Sequence, residues 1–154
     1  MIVAAAFVAA LAVGVVYQLA LHAVPVIFLD LVACAAAAGV IGAIAQFTIR
    51  RLPVRGRGRA MALAAALALV ALAASHVTAY ELGARDIAAR TGMSTAQLRD
   101  RVGFADWLQL RQRGGFSLSR GATLRGPGVL ALWGAEALVF LGLVGYAVDK
   151  QTRH

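Results

Sequence analysis

The chain has 154 residues, is 61% hydrophobic and 14% charged, and carries a formal net charge of +8 with a mean hydropathy of +0.78. Soluble domains run nearer 45–50% apolar and about 25% charged, so this composition excludes an ordinary water-soluble domain and places the chain in the membrane class. The excess charge is almost wholly arginine, with Lys150 the one lysine. In a membrane chain such arginine sets orientation or meets anionic headgroups before it argues for nucleic acid.

Residues 2–21 form a first apolar run of the length that crosses a bilayer, about 20 residues. His22 and Ala23 make a short link, and Pro25 suits the first turn of a second span that runs to about Phe47. Within it Ala35, Gly39 and Ala43 recur every four residues. That spacing lets helices approach closely in lipid, although alanine is abundant throughout the chain. Cys34, the single cysteine, excludes an intrachain disulfide and a cysteine-based metal site. Leu31-Val32-Ala33-Cys34 has the look of a lipoprotein cleavage box, but residues 1–21 carry no charge to serve as a signal n-region. A buried thiol is the expected state.

Residues 50–59, RRLPVRGRGR, are expected to be a basic loop, with Arg50, Arg51, Arg55, Arg57 and Arg59 against anionic lipid headgroups. A third span covers about 60–79, and a fourth covers 128–148. The fold expected is all-α: a four-transmembrane-helix bundle with a small helical loop domain between spans three and four. The domains divide as spans one to three with the basic loop (1–80), the extramembrane loop domain (81–127), and the fourth span with a short tail (128–154).

Four spans bring both chain ends to one side. That side has five arginines in the basic loop plus Lys150 and Arg153, against eight arginines between spans three and four. The count does not separate the sides, but the density of the short loop favours both termini in the cytoplasm of a bacterial inner membrane. Either way, Tyr17, Gln18, His22, Asp30, Ser75, His76, Tyr80 and Glu81 share one end of the bundle with the large loop. At 1.5 Å per residue, Asp30 lies about 8 Å, His76 about 6 Å and Glu136 about 12 Å into their spans from that end.

Residues 85–103, RDIAARTGMSTAQLRDRVG, have the spacing of a helix-turn-helix unit: Ile87-Ala88, a turn at Gly92-Met93, then Leu98. Ser94 or Thr95 would cap the second helix, and Arg99 and Arg101 would face phosphate. The competing reading is two short amphipathic helices at the membrane surface, and nucleic acid is not the expected partner. Residues 104–120 continue with an apolar face of Phe104, Trp107, Leu108 and Leu110 that Gly114-Gly115 ends. This helix is expected over the bundle mouth or in the interface.

Phe104, Trp107, Leu110-Arg111, Gly114-Gly115, Ser117 and Arg120, followed by Trp133 and Glu136 in the last span, resemble a pattern found in a group of four-span bacterial membrane proteins. The resemblance covers about the last third of the chain. It implies a shared architecture and carries no activity with it.

Glu136 is the candidate on which the rest turns. An ionisable group at bilayer depth costs on the order of 2.5 kcal/mol or more on insertion scales, so it faces protein or water. It has a structural reading, a hydrogen bond that fixes helix register, and a functional one, a proton carrier or cation ligand. Arg111 is the expected partner through fork geometry. His76, Asp30 and Trp133 complete the candidate polar site. Asp30 reads first as a solvated or His22-paired cap, and His76 as a hydrogen-bonded helix end. If their faces converge, Asp30, His76 and Glu136 would suit a divalent cation. No HExxH, phosphate loop or nucleophile elbow is present, so no catalytic residue, cofactor or dedicated metal site is expected. The function expected is a non-enzymatic interaction or assembly subunit with a polar cavity under the loop domain. Its partners would be the bilayer and either a second copy or another membrane protein. A small oligomeric channel or transporter using Glu136, or a membrane-anchored regulator, are the alternatives.

Overall fold

A computed structural model describes residues 1–23, 27–52, 56–117 and 123–152, with the side chains of 27–31, 116–117, 123 and 151–152 excepted. Pro25, Arg55, Arg120 and Arg153, and the side chains of Asp30 and Ser117, therefore lie outside the described residues. The chain is all-helical, with six described helices: α1 (Ile2–Ala23), α2 (Ile27–Arg51), α3 (Arg57–Thr91), α4 (Thr95–Arg101), α5 (Phe104–Gly114) and α6 (Pro127–Thr152). Between α5 and α6, β1 (Phe116–Ser117) and β2 (Thr123–Leu124) pair antiparallel over two residues each, a clip that does not alter the class.

α1, α2, α3 and α6 are each long and apolar enough to cross a membrane. α1 packs chiefly on α3 and α2, and α6 on α2 and α3, which leaves α1 and α6 at opposite corners of the bundle. The seams are made of small side chains. Ala6, Ala10 and Gly14 of α1 and Ala64, Ala68 and Ala71 of α3 are buried. A Cβ on Gly14 would stand 2.1 Å from the carbonyl oxygen of Ala71, so glycine alone permits the α1–α3 approach. Bulk enters from Ile41, Leu67, Phe140 and Val144.

Ala35, Gly39 and Ala43 do not form a seam. All three are exposed, and the space around Gly39 is open to 4 Å. α2 instead buries Cys34, Ala38, Ile41 and Ala45. The helix is apolar all round, so its composition fixes no rotation about its own axis.

The basic stretch is also shorter than expected. α2 continues through Arg51 and α3 begins at Arg57 from Gly56, whose φ is +98°. Arginine is a good helix former, so four of the five cations, Arg50, Arg51, Arg57 and Arg59, lie on helix ends. Arg57 pairs with Asp149 at 2.6 Å, and Gln46 donates to the carbonyl of Ala147 at 2.7 Å, closing this end of the bundle.

At the other end α3 runs well past Tyr80, where its apolar stretch stops. Its 35 residues span about 52 Å against about 30 Å of hydrocarbon. Residues 81–91 hold good helix formers and no stop signal until Gly92, which caps the helix in the left-handed conformation at φ +69°. The expected loop domain therefore begins as a rigid extension of the third span.

Candidate functional site

Glu136 sits in the third turn of α6 and accepts a hydrogen bond at Oε1 from the Tyr17 hydroxyl at 2.7 Å. Tyr17 is buried on α1, the helix at the opposite corner, so the bond crosses the bundle and joins residues 119 apart in sequence. From α2, the buried Cys34 thiol points its sulfur at the main-chain carbonyl of Glu136, 3.7 Å away. Two other spans thus converge on one residue of the last span. The carboxyl is half-buried and has a donor, which is the condition for holding such a group at bilayer depth.

His76 comes from α3. Its ring meets Trp133 edge-on at 5.6 Å and 71°, and Trp133 lies one turn before Glu136 on α6. The imidazole lies within electrostatic reach of both Glu136 and Arg111. Of the five candidate residues, the fold therefore brings Glu136, His76, Trp133 and Arg111 into one region. Ser75, beside His76, is satisfied within its own helix by the Leu72 carbonyl at 2.8 Å.

The donor described at Glu136 is Tyr17, while the guanidinium of Arg111 rests over the Trp107 ring, 5.1 Å from its centroid. His22 faces Asp86 on the α3 extension at 3.7 Å. The Asp30 side chain, and with it the expected triad with His76 and Glu136, lies outside the described residues. Among the described residues no three His, Cys, Asp or Glu side chains lie close enough to hold a metal ion.

Tyr17 and Cys34 are the site members that sequence reasoning missed. Tyr17 already belonged to the polar end, but joining it to Glu136 requires the rotation of two helices, which apolar runs do not encode.

Above this layer the loop folds against the α3 extension. Ser94 caps α4 in a reciprocal box with Gln97, as the spacing predicts. Tyr80 is the hub. Its hydroxyl donates to the Val102 carbonyl at 2.8 Å, and its ring meets Phe104 and Trp107 edge-on, each at 5.7 Å. Gly83 leaves room for the Trp107 indole, whose nitrogen would lie 3.2 Å from a Cβ there. Arg99 of α4 pairs with Glu81.

A cavity of about 220 Å³ lies between the extension and the loop helices, walled by Ala84, Ile87, Leu98, Val102 and Leu110, with Arg111 beside Trp107 in its lining. It is apolar. It is distinct in kind from the polar pair Tyr17–Glu136, which bonds across the bundle between α1 and α6. The helix-turn-helix spacing corresponds to two helices joined by a turn at Gly92. Its first helix is the end of α3, and its second has seven residues. Compared with known proteins, the chain matches no family model, no curated protein and no solved structure.

Proposed function

We propose that this chain is a non-enzymatic interaction or assembly subunit of a bacterial inner membrane, with both termini in the cytoplasm and a helical loop docked on the opposite face. The observation that carries the reading is the Tyr17–Glu136 hydrogen bond across the bundle. It uses the costly carboxyl to hold two spans that otherwise stand at opposite corners. A rigid bundle with a capped, aromatic-clamped platform is built to present a surface rather than to turn over a substrate. Anionic headgroups would meet Arg50, Arg51, Arg55, Arg57 and Arg59 at the other end. Nucleic acid gains little support, because Arg99 already has Glu81 and the recognition helix is short.

A second reading is favoured by the grouping of His76, Glu136 and Arg111: a small oligomeric channel or transporter that moves protons or cations past Glu136. Proteoliposomes under a potassium diffusion potential, with a pH dye or a cation dye inside, separate the two. The subunit reading expects leakage equal to that of empty vesicles. Flux that depends on protein and disappears in Glu136→Gln would overturn it in favour of transport.

A further inference from the structure

Of the residues grouped around Glu136, the loop cavity shares Arg111 in its lining, and its chemistry is of another kind. We propose that it binds the hydrocarbon chain of a single-chain carboxylate amphiphile, a long-chain fatty acid taken from the surrounding bilayer, with the carboxylate at Arg111. The inference does not rest on the role given to Glu136, and its failure would leave that role standing.

The size of the cavity is the first argument. An apolar cavity of about 150 Å³ stays dry and accepts benzene, so about 220 Å³ accommodates a stretch of one alkyl chain and not the paired chains of a phospholipid. Its walls are the second. Ala84, Leu98, Val102 and Leu110 offer no side-chain hydrogen bond, so water gains nothing by filling the space. The third is the route in. Ile87 and Leu110 line the cavity while remaining 43% and 54% exposed, and Phe104 is exposed beside the Tyr80 hub. This apolar rim begins at Tyr80, where the apolar run of α3 ends. That is the headgroup level, the depth at which fatty-acid carboxylates reside.

Charge is the fourth argument. The charged side chain in the lining is Arg111, stacked on Trp107. A guanidinium held by its face keeps its N–H groups in the plane, where a carboxylate docks.

The chain has two tryptophans, so Trp133→Phe leaves Trp107 as the only indole and as a reporter inside the cavity. This protein, in nanodiscs of zwitterionic phosphatidylcholine, would be titrated with 9,10-dibromostearic acid while Trp107 fluorescence is read. The expected result is saturable quenching that unbrominated stearate reverses. Ala84→Leu, which fills the cavity from α3, is expected to raise the half-saturation point about tenfold. Leu98→Phe fills it from α4 and provides the same test if the first variant misfolds. Arg111→Gln should weaken the acid and leave the brominated methyl ester unchanged. Quenching that climbs linearly without saturating, or that neither filling variant alters, would overturn the proposal. So would equal quenching by a brominated diacyl phosphatidylcholine, or equal loss of acid and ester in Arg111→Gln.

Discussion

A carboxyl in the middle of a membrane span is tolerated when a neighbour supplies the hydrogen bond that water would have given. Tyr17 does this for Glu136 from the far corner of the bundle, and Cys34 and the His76–Trp133 pair fill the space around it. The cluster is specific at the level of single atoms. Arg111 shows the same economy outside the spans, where its guanidinium lies over Trp107, one turn earlier on α5, whose ring packs on Tyr80 of the α3 extension. A cation–π contact at a partly exposed site is worth about 0.5–1 kcal/mol, which corresponds to a two- to fivefold change in local opening. Arg111→Gln is therefore expected to speed proteinase K cleavage within α5 by about that factor, whereas Arg113→Gln, at an exposed position, should not. Equal cleavage rates for the two variants would remove Arg111 from the clamp.

Among the elements, length and capping explain more than hydropathy does. The four spans were legible because each is an unbroken apolar run, and α4 was legible because Ser94 and Gln97 stand three apart. The overhang of α3 was not legible from hydropathy, which falls at Tyr80, because the helix ends where Gly92 permits a left-handed cap. Rotation about the helix axes was not legible either. Helices apolar on every side bury whichever face packs best, so Gly14 lies in a seam and Gly39 faces outward. Alanine at the two positions makes the contrast measurable. Gly14→Ala forces the α1–α3 crossing apart and should cost about 1–3 kcal/mol, as overpacking does. Gly39→Ala should be neutral or slightly stabilising in a detergent unfolding assay. The reverse ranking would mean that the stripe in α2 is the true seam.

For the molecule as a whole, the polar groups are sorted by end. One end is closed by Arg57 with Asp149 and by Gln46 on Ala147. The other carries the loop helices, the His22–Asp86 pair and the Arg99–Glu81 pair. This sorting was visible in the sequence once four alternating spans were counted. The partners within each end were not, because they depend on where loop residues fold back. The orientation proposed above follows from the dense arginines flanking the short connection between α2 and α3. A dual reporter fused at Gly115 is expected to give the extracytoplasmic signal. A cytoplasmic signal there would invert the topology and reopen the loop to cytoplasmic partners, nucleic acid included.

All of this depends on the carboxyl of Glu136 being held by the hydroxyl of Tyr17 inside the bundle. A double-mutant cycle with Tyr17→Phe and Glu136→Ala, read as unfolding free energy in mixed micelles, measures that contact directly. Side-chain hydrogen bonds between membrane helices couple by about 0.6 kcal/mol on average and up to about 1.7, and a coupling in that range is the expected result. Strictly additive losses, with Tyr17→Phe costing the same whether or not the carboxyl is present, would contradict it.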